Sequence, residues 1–92
     1  MPQLFRISGY RIYFWTNEGD PIEPIHVHIS EGNPSSNTTK IWILSSGKCK
    51  LANNNSKIPQ HFLNNAMKVI ETRADYIIKM WKKKFGEVKF YC

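Results

Sequence analysis

Over residues 60–85 the apolar positions recur with the period of a helix. At about 100° per residue, Leu63, Ala66, Met67, Ile70, Ala74, Ile77, Ile78, Trp81 and Phe85 fall within an arc of roughly 120°. The pattern predicts one long amphipathic helix. Pro59 suits a first turn, Ser56 is the expected N-cap and Gly86 the expected left-handed stop. At ~1.5 Å per residue this helix would run about 39 Å, with a bend expected near Thr72 and Arg73.

Before residue 57 the period changes to short strands separated by turn residues. LFRI and YRIYFW flank Ser8-Gly9, a two-residue hairpin turn that places Ile7 opposite Tyr10, Arg6 opposite Arg11 and Phe5 opposite Ile12. The loop NEGDPIEP leads to IHVHIS, the loop EGNPSSN to TTKIWIL, and the turn SSG to KCKLA. If the two middle strands are neighbours, Ser30 faces Thr38, His28 faces Lys40 and His26 faces Trp42. Alternation then gives one face Phe5, Ile7, Tyr10, Ile12, Phe14, Ile25, Val27, Ile29, Ile41, Ile43, Cys49 and Leu51. Such a one-sided sheet needs an apolar cover, which the helix supplies. The predicted fold is α+β: one domain over residues 1–92, an antiparallel sheet of four to five strands with one long C-terminal helix packed on one face.

The opposite face collects Arg6, Arg11, Tyr13, Trp15, His26, His28, Lys40, Trp42, Lys48 and Lys50, including all five Lys and Arg residues before position 57. Arg6 opposite Arg11 is a like-charge pair, which costs stability unless an anion sits between them. Trp15, Trp42 and Tyr13 among cations make the mixture of rings and charge that binds single-stranded nucleic acid. The competing reading is a solvated basic face, or one whose rings pack on a protein partner.

His26 and His28 are one residue apart, so they lie ~6.6 Å apart along the strand and share a face. Three readings stay open. They are structural or binding residues, a general acid/base pair for RNA cleavage with Lys40 stabilising charge, or metal ligands needing a third donor from Asp20, Glu23 or Cys49. No spacing in the chain forces a metal site, and no metal or cofactor is expected. Both histidines should point away from the helix. His61 reads as a surface or capping residue, and Lys68, Lys79, Lys82 and Lys83 as a solvated helix exterior with Asp75 placed to pair with Lys79.

Composition narrows the classes. With 41% hydrophobic and 22% charged residues in 92, the chain is globular, and no aliphatic or aromatic run is longer than that at 12–15, far too short for a membrane span. Its first ten residues lack the pattern of a secretory signal, and Cys49 and Cys92 form no CxxC pair, so a cytoplasmic location with reduced thiols is expected. Thirteen Lys and Arg against seven Asp and Glu give a net charge of +6, which favours polyanionic partners. Residues 17–31 are a local exception, holding Glu18, Asp20, Glu23 and Glu31 and no Lys or Arg.

The start LFRISGYRIYFWTNE, the strand EPIHVHI and the helix segment WKKKFG resemble the small bacterial domain-of-unknown-function family numbered 4160 over nearly the whole chain. Glu23, Pro24, His26 and His28 match its EP-x-HVH motif and Trp81 its last helix, while Ile25 stands where a second proline is more usual. The resemblance carries no catalytic role, because the family's activity is not established. It implies a small protein partner encoded nearby, as in toxin–antitoxin pairs, and an RNA target. The expected function is a non-catalytic binding module for RNA or a protein partner. The alternative is a toxin-like, metal-independent endoribonuclease using His26 and His28.

Overall fold

The protein, a computed structural model, is described over residues 3–15, 23–31 and 38–91. Five strands, β1 (Gln3–Ile7), β2 (Tyr10–Tyr13), β3 (His26–Ser30), β4 (Thr39–Ile43) and β5 (Cys49–Asn53), precede two helices, α1 (Gln60–Thr72) and α2 (Ala74–Phe85). The strands form a single antiparallel sheet in the order β1-β2-β3-β4-β5. Each strand therefore pairs with its neighbour in the chain.

The registers follow from turn chemistry and alternation. Ser8 and Gly9 both take positive φ (47° and 88°), the twist a two-residue hairpin requires, and Ile7, Arg6 and Phe5 lie opposite Tyr10, Arg11 and Ile12. Between β3 and β4, His26 faces Trp42, Val27 faces Ile41 and His28 faces Lys40. Ile41 then faces Leu51 and Ile43 faces Cys49. The aliphatic residues of these strands share one core with Leu63, Ala66, Ile70, Ala74, Ile77 and Trp81 of the helices. Burying that surface is the main driving force for the fold.

The single long helix expected from the period is two helices. Thr72 Oγ1 donates to the Val69 carbonyl at 2.7 Å, and the Arg73 amide divides between the Val69 and Ile70 carbonyls at 3.2 and 3.1 Å. Arg73 leaves helical geometry (φ −110°, ψ 14°) and α2 restarts at once, with the Ile77 amide on the Arg73 carbonyl at 3.0 Å. A threonine bonding back onto its own helix bends it, and the break falls where a bend is expected, near Thr72 and Arg73. Gly86 closes α2 in the left-handed conformation, φ 81°.

Two smaller expectations also change. Pro59, not Ser56, occupies the N-cap position of α1. Ser56 is instead a stitch between strands: its Oγ accepts from the Thr39 amide at 3.0 Å and donates to the Ile29 carbonyl at 3.3 Å. The lead into α1 is fixed by Asn54, whose carboxamide oxygen accepts from Thr39 Oγ1 and from the Ile58 amide. Asp75 and Lys79 form no ion pair among the described residues.

Candidate functional site

Eight of the ten candidate residues are paired in the sheet, Trp15 and Lys48 lying just outside β2 and β5, and the ten do not form one open surface. Tyr13 and His26 are fully buried and His28 is 4% exposed, whereas Trp15, Trp42, Lys40 and Arg11 are half-buried and Arg6, Lys48 and Lys50 are exposed. The face thus has a closed centre of rings inside a rim of cations. Tyr13 has no free ring face to offer a base.

The centre is a chain of aromatic contacts. Trp15 meets Tyr13 edge-on at 5.7 Å, Tyr13 stacks on His28 at 5.6 Å, His28 meets His26 at 5.2 Å and His26 meets Trp42 at 5.6 Å. Hydrogen bonds fix the rings. The Tyr13 hydroxyl and Thr38 Oγ1 share one of 2.7 Å, and Thr38 Oγ1 lies 3.4 Å from His28 Nδ1. His26 Nδ1 lies 2.9 Å from the Pro24 carbonyl oxygen. A carbonyl can only accept, so Nδ1 carries the hydrogen of this bond.

The expectation that both histidines point away from the helices needs correcting for His26, whose ring also touches Trp81 of α2 at 5.4 Å. The register is not at fault. Pairing between β2 and β3 stops at Tyr13 opposite His28, two residues short of His26. At that open end Trp81 reaches both Phe14, at 5.0 Å, and His26. The Trp81 indole N–H is buried without a hydrogen-bond partner among the described residues.

The cations stand apart from one another. Stepping from β1 to β5 at ~4.8 Å per strand separates Arg6 from Lys50 by about 19 Å across the sheet. Arg6 and Arg11 face each other near the first hairpin, while Lys50 sits opposite Trp42 at the far edge. Lys40 is already engaged, 3.3 Å from Glu23 Oε1 and 4.4 Å from the Trp42 ring centre.

No trio of His, Cys, Asp or Glu among the described residues is placed to hold a metal ion. Of the third ligands considered, Asp20 lies outside the described residues and Glu23 pairs with Lys40. Cys49 belongs to the helix side, where its Sγ donates to the Met67 carbonyl at 3.4 Å and to Glu71 Oε2 at 3.6 Å. Burial and the adjacent Glu71 carboxylate push the thiol up to about 12, so it is neither a ready ligand nor a nucleophile at neutral pH. A groove of about 260 Å³ is lined, among the described residues, by Phe14, Met80, Lys83 and Lys84, with no histidine or acid among them.

One contributor is absent from the sequence reading. Beyond Gly86, Val88 packs against the core, the Lys89 carbonyl accepts from the Ile25 amide at 2.8 Å, and Tyr91 stacks on Trp42 at 5.1 Å and 8°. The tail thus passes from the helix side to the polar face. The alternation of Val88 and Phe90 with Lys89 was the only hint of an extended tail.

A family described as a domain of unknown function (DUF4160) matches residues 9–82. The chain belongs to that family. No curated protein and no solved structure matches it. The matched DUF4160 region contains every candidate residue except Arg6, along with the break at Arg73, and ends before the Tyr91 tail. Among the described residues no helix is long and apolar enough to cross a membrane.

Proposed function

We propose that the protein is a non-catalytic RNA-binding module, bacterial and cytoplasmic, that works beside a small protein partner in an arrangement of the toxin–antitoxin kind. The observation that carries this reading is the cationic rim: Arg6, Arg11, Lys48 and Lys50 surround a centre in which both histidines are buried. A rim about 19 Å across suits several consecutive phosphates of a single strand better than one small anion. Arg6 and Arg11 would lose their mutual repulsion to a phosphate placed between them.

The geometry supports a nuclease less well. A general acid or base must reach the proton it moves, to within about 3 Å or through one water. His26 is enclosed by Trp42, Trp81 and His28, its Nδ1 is committed to Pro24, and Lys40 is committed to Glu23. The test is a pair of assays on purified protein with a short single-stranded RNA. Binding that weakens as salt rises, without metal-free cleavage, is expected; cleavage lost in His28→Ala would replace the module with the enzyme.

A further inference from the structure

Resting on the RNA-binding reading, we propose that one face of Trp42 is a base-stacking subsite, which Tyr91 of the same chain fills in the free protein and a nucleobase of single-stranded RNA takes over on binding. The contact has the geometry of a stacked base: ring centres 5.1 Å apart and planes 8° from parallel. His26 abuts the same indole edge-on at 5.6 Å and holds its orientation. Trp42 is thus a fixed platform whose occupant can change.

The surroundings fit a nucleotide. Lys40 Nζ lies 4.4 Å from the Trp42 ring centre, and Lys50 Nζ lies 5.2 Å from that of Tyr91. Lys50 is exposed and directly opposite Trp42 on β5, so a nucleotide stacked in place of Tyr91 brings its phosphate within reach of that cation. Lys50 over the tyrosine ring is a cation–π contact, which a nucleobase also offers.

The present occupant is lightly held. Tyr91 is 49% exposed, and the interactions of its ring among the described residues are the stack on Trp42 and the Lys50 cation over it. The last backbone anchor of the tail is two residues earlier, where the Lys89 carbonyl meets the Ile25 amide. Rotation beyond Lys89 frees the indole while Val88 stays in the core. Because tail and base need one face, the tail reduces apparent affinity by the fraction of molecules in which it is docked.

Fluorescence anisotropy with a labelled single-stranded oligouridylate at low salt tests this, using an abasic oligonucleotide of equal length as the control probe. Tyr91→Ala should bind the oligouridylate about three- to tenfold tighter than wild type, as release of a self-occupied site requires. Trp42→Leu, which keeps apolar bulk without a ring, should bind it ~5-fold or more weaker, the effect of losing one stacked base. The abasic probe should respond to neither substitution. Wild-type binding with an unchanged or weaker Tyr91→Ala would overturn the subsite while leaving RNA binding in place. Equal tightening for the abasic probe would overturn stacking as well. Absence of binding by both wild type and Tyr91→Ala would remove the subsite together with the reading it rests on.

Discussion

The two faces of the sheet solve burial in opposite ways. Under the helices Ile12, Ile25, Val27, Ile29, Ile41 and Ile43 are completely buried and carry no polar side-chain atom. On the other face Tyr13, His26 and His28 are nearly as buried, yet each ring has polar atoms and a hydrogen-bonding or edge contact that sets its angle. Aliphatic packing is non-directional and tolerates repacking. A polar ring cluster is directional, and a member removed leaves its partners unsatisfied. The helix face therefore supplies most of the stability, and the ring face adds to it a fixed shape on which cations are mounted.

Trp81 joins the two faces, so its removal should break the comparison most. It contacts Phe14 and Phe85 on the core side and His26 on the other. Trp81→Ala should lower unfolding free energy by about 3–5 kcal/mol in urea denaturation, the range for a large buried ring. Next comes His26→Ala, expected to cost about 2 kcal/mol by loss of the Pro24 hydrogen bond and of packing against Trp42 and Trp81. A neutral His26→Ala would mean that the ring cluster does not contribute to stability.

The helix face has its own probe in Cys49. Burial and the Glu71 carboxylate push its pKa up to about 12 in the fold, from an ordinary thiol value of 9.0. Between these values the folded state holds the proton more tightly than the unfolded one, so stability falls with rising pH. The contribution is complete below about pH 9 and lost as pH passes about 12. Glu71→Gln removes the neighbouring negative charge and should bring the thiol pKa down, seen as faster alkylation of Cys49 at fixed alkaline pH. The smallest effect is expected at the rim. Arg11→Glu converts a like-charge pair into an opposite pair and should stabilise the protein by roughly 0.5 kcal/mol at low salt, while weakening RNA binding.

Much of this architecture was legible because it rests on short-range rules. Ser8-Gly9 fixes the first hairpin, and the alternation of Ile25, Val27 and Ile29 with His26 and His28 fixes the central register. What escaped depends on contacts between distant residues or on local competition. A bend was expected near Thr72 and Arg73, but not that the side-chain hydrogen bond of Thr72 would accompany a full break into two helices. Ser56 looks like a cap but is drawn to Thr39 and Ile29, residues far from it in sequence. The burial of His26 depends on Trp81, and the cover on Trp42 depends on a tail beyond the helix stop. Alternation told which face each candidate occupies; it carried no information on what lies above that face.

The central claim, a cationic rim that binds RNA, is tested most directly by the salt dependence of affinity for a short single-stranded RNA. Four phosphate contacts predict a log–log slope of magnitude about 3, from ~0.7 per neutralised phosphate on a single strand. Neutralising Arg6, Arg11, Lys48 or Lys50 singly should flatten that slope by about 0.7 each, while neutralising Lys79 or Lys83 on the helix exterior should leave it nearly unchanged. Equal flattening from rim and helix lysines, or no affinity at low salt, would contradict the account.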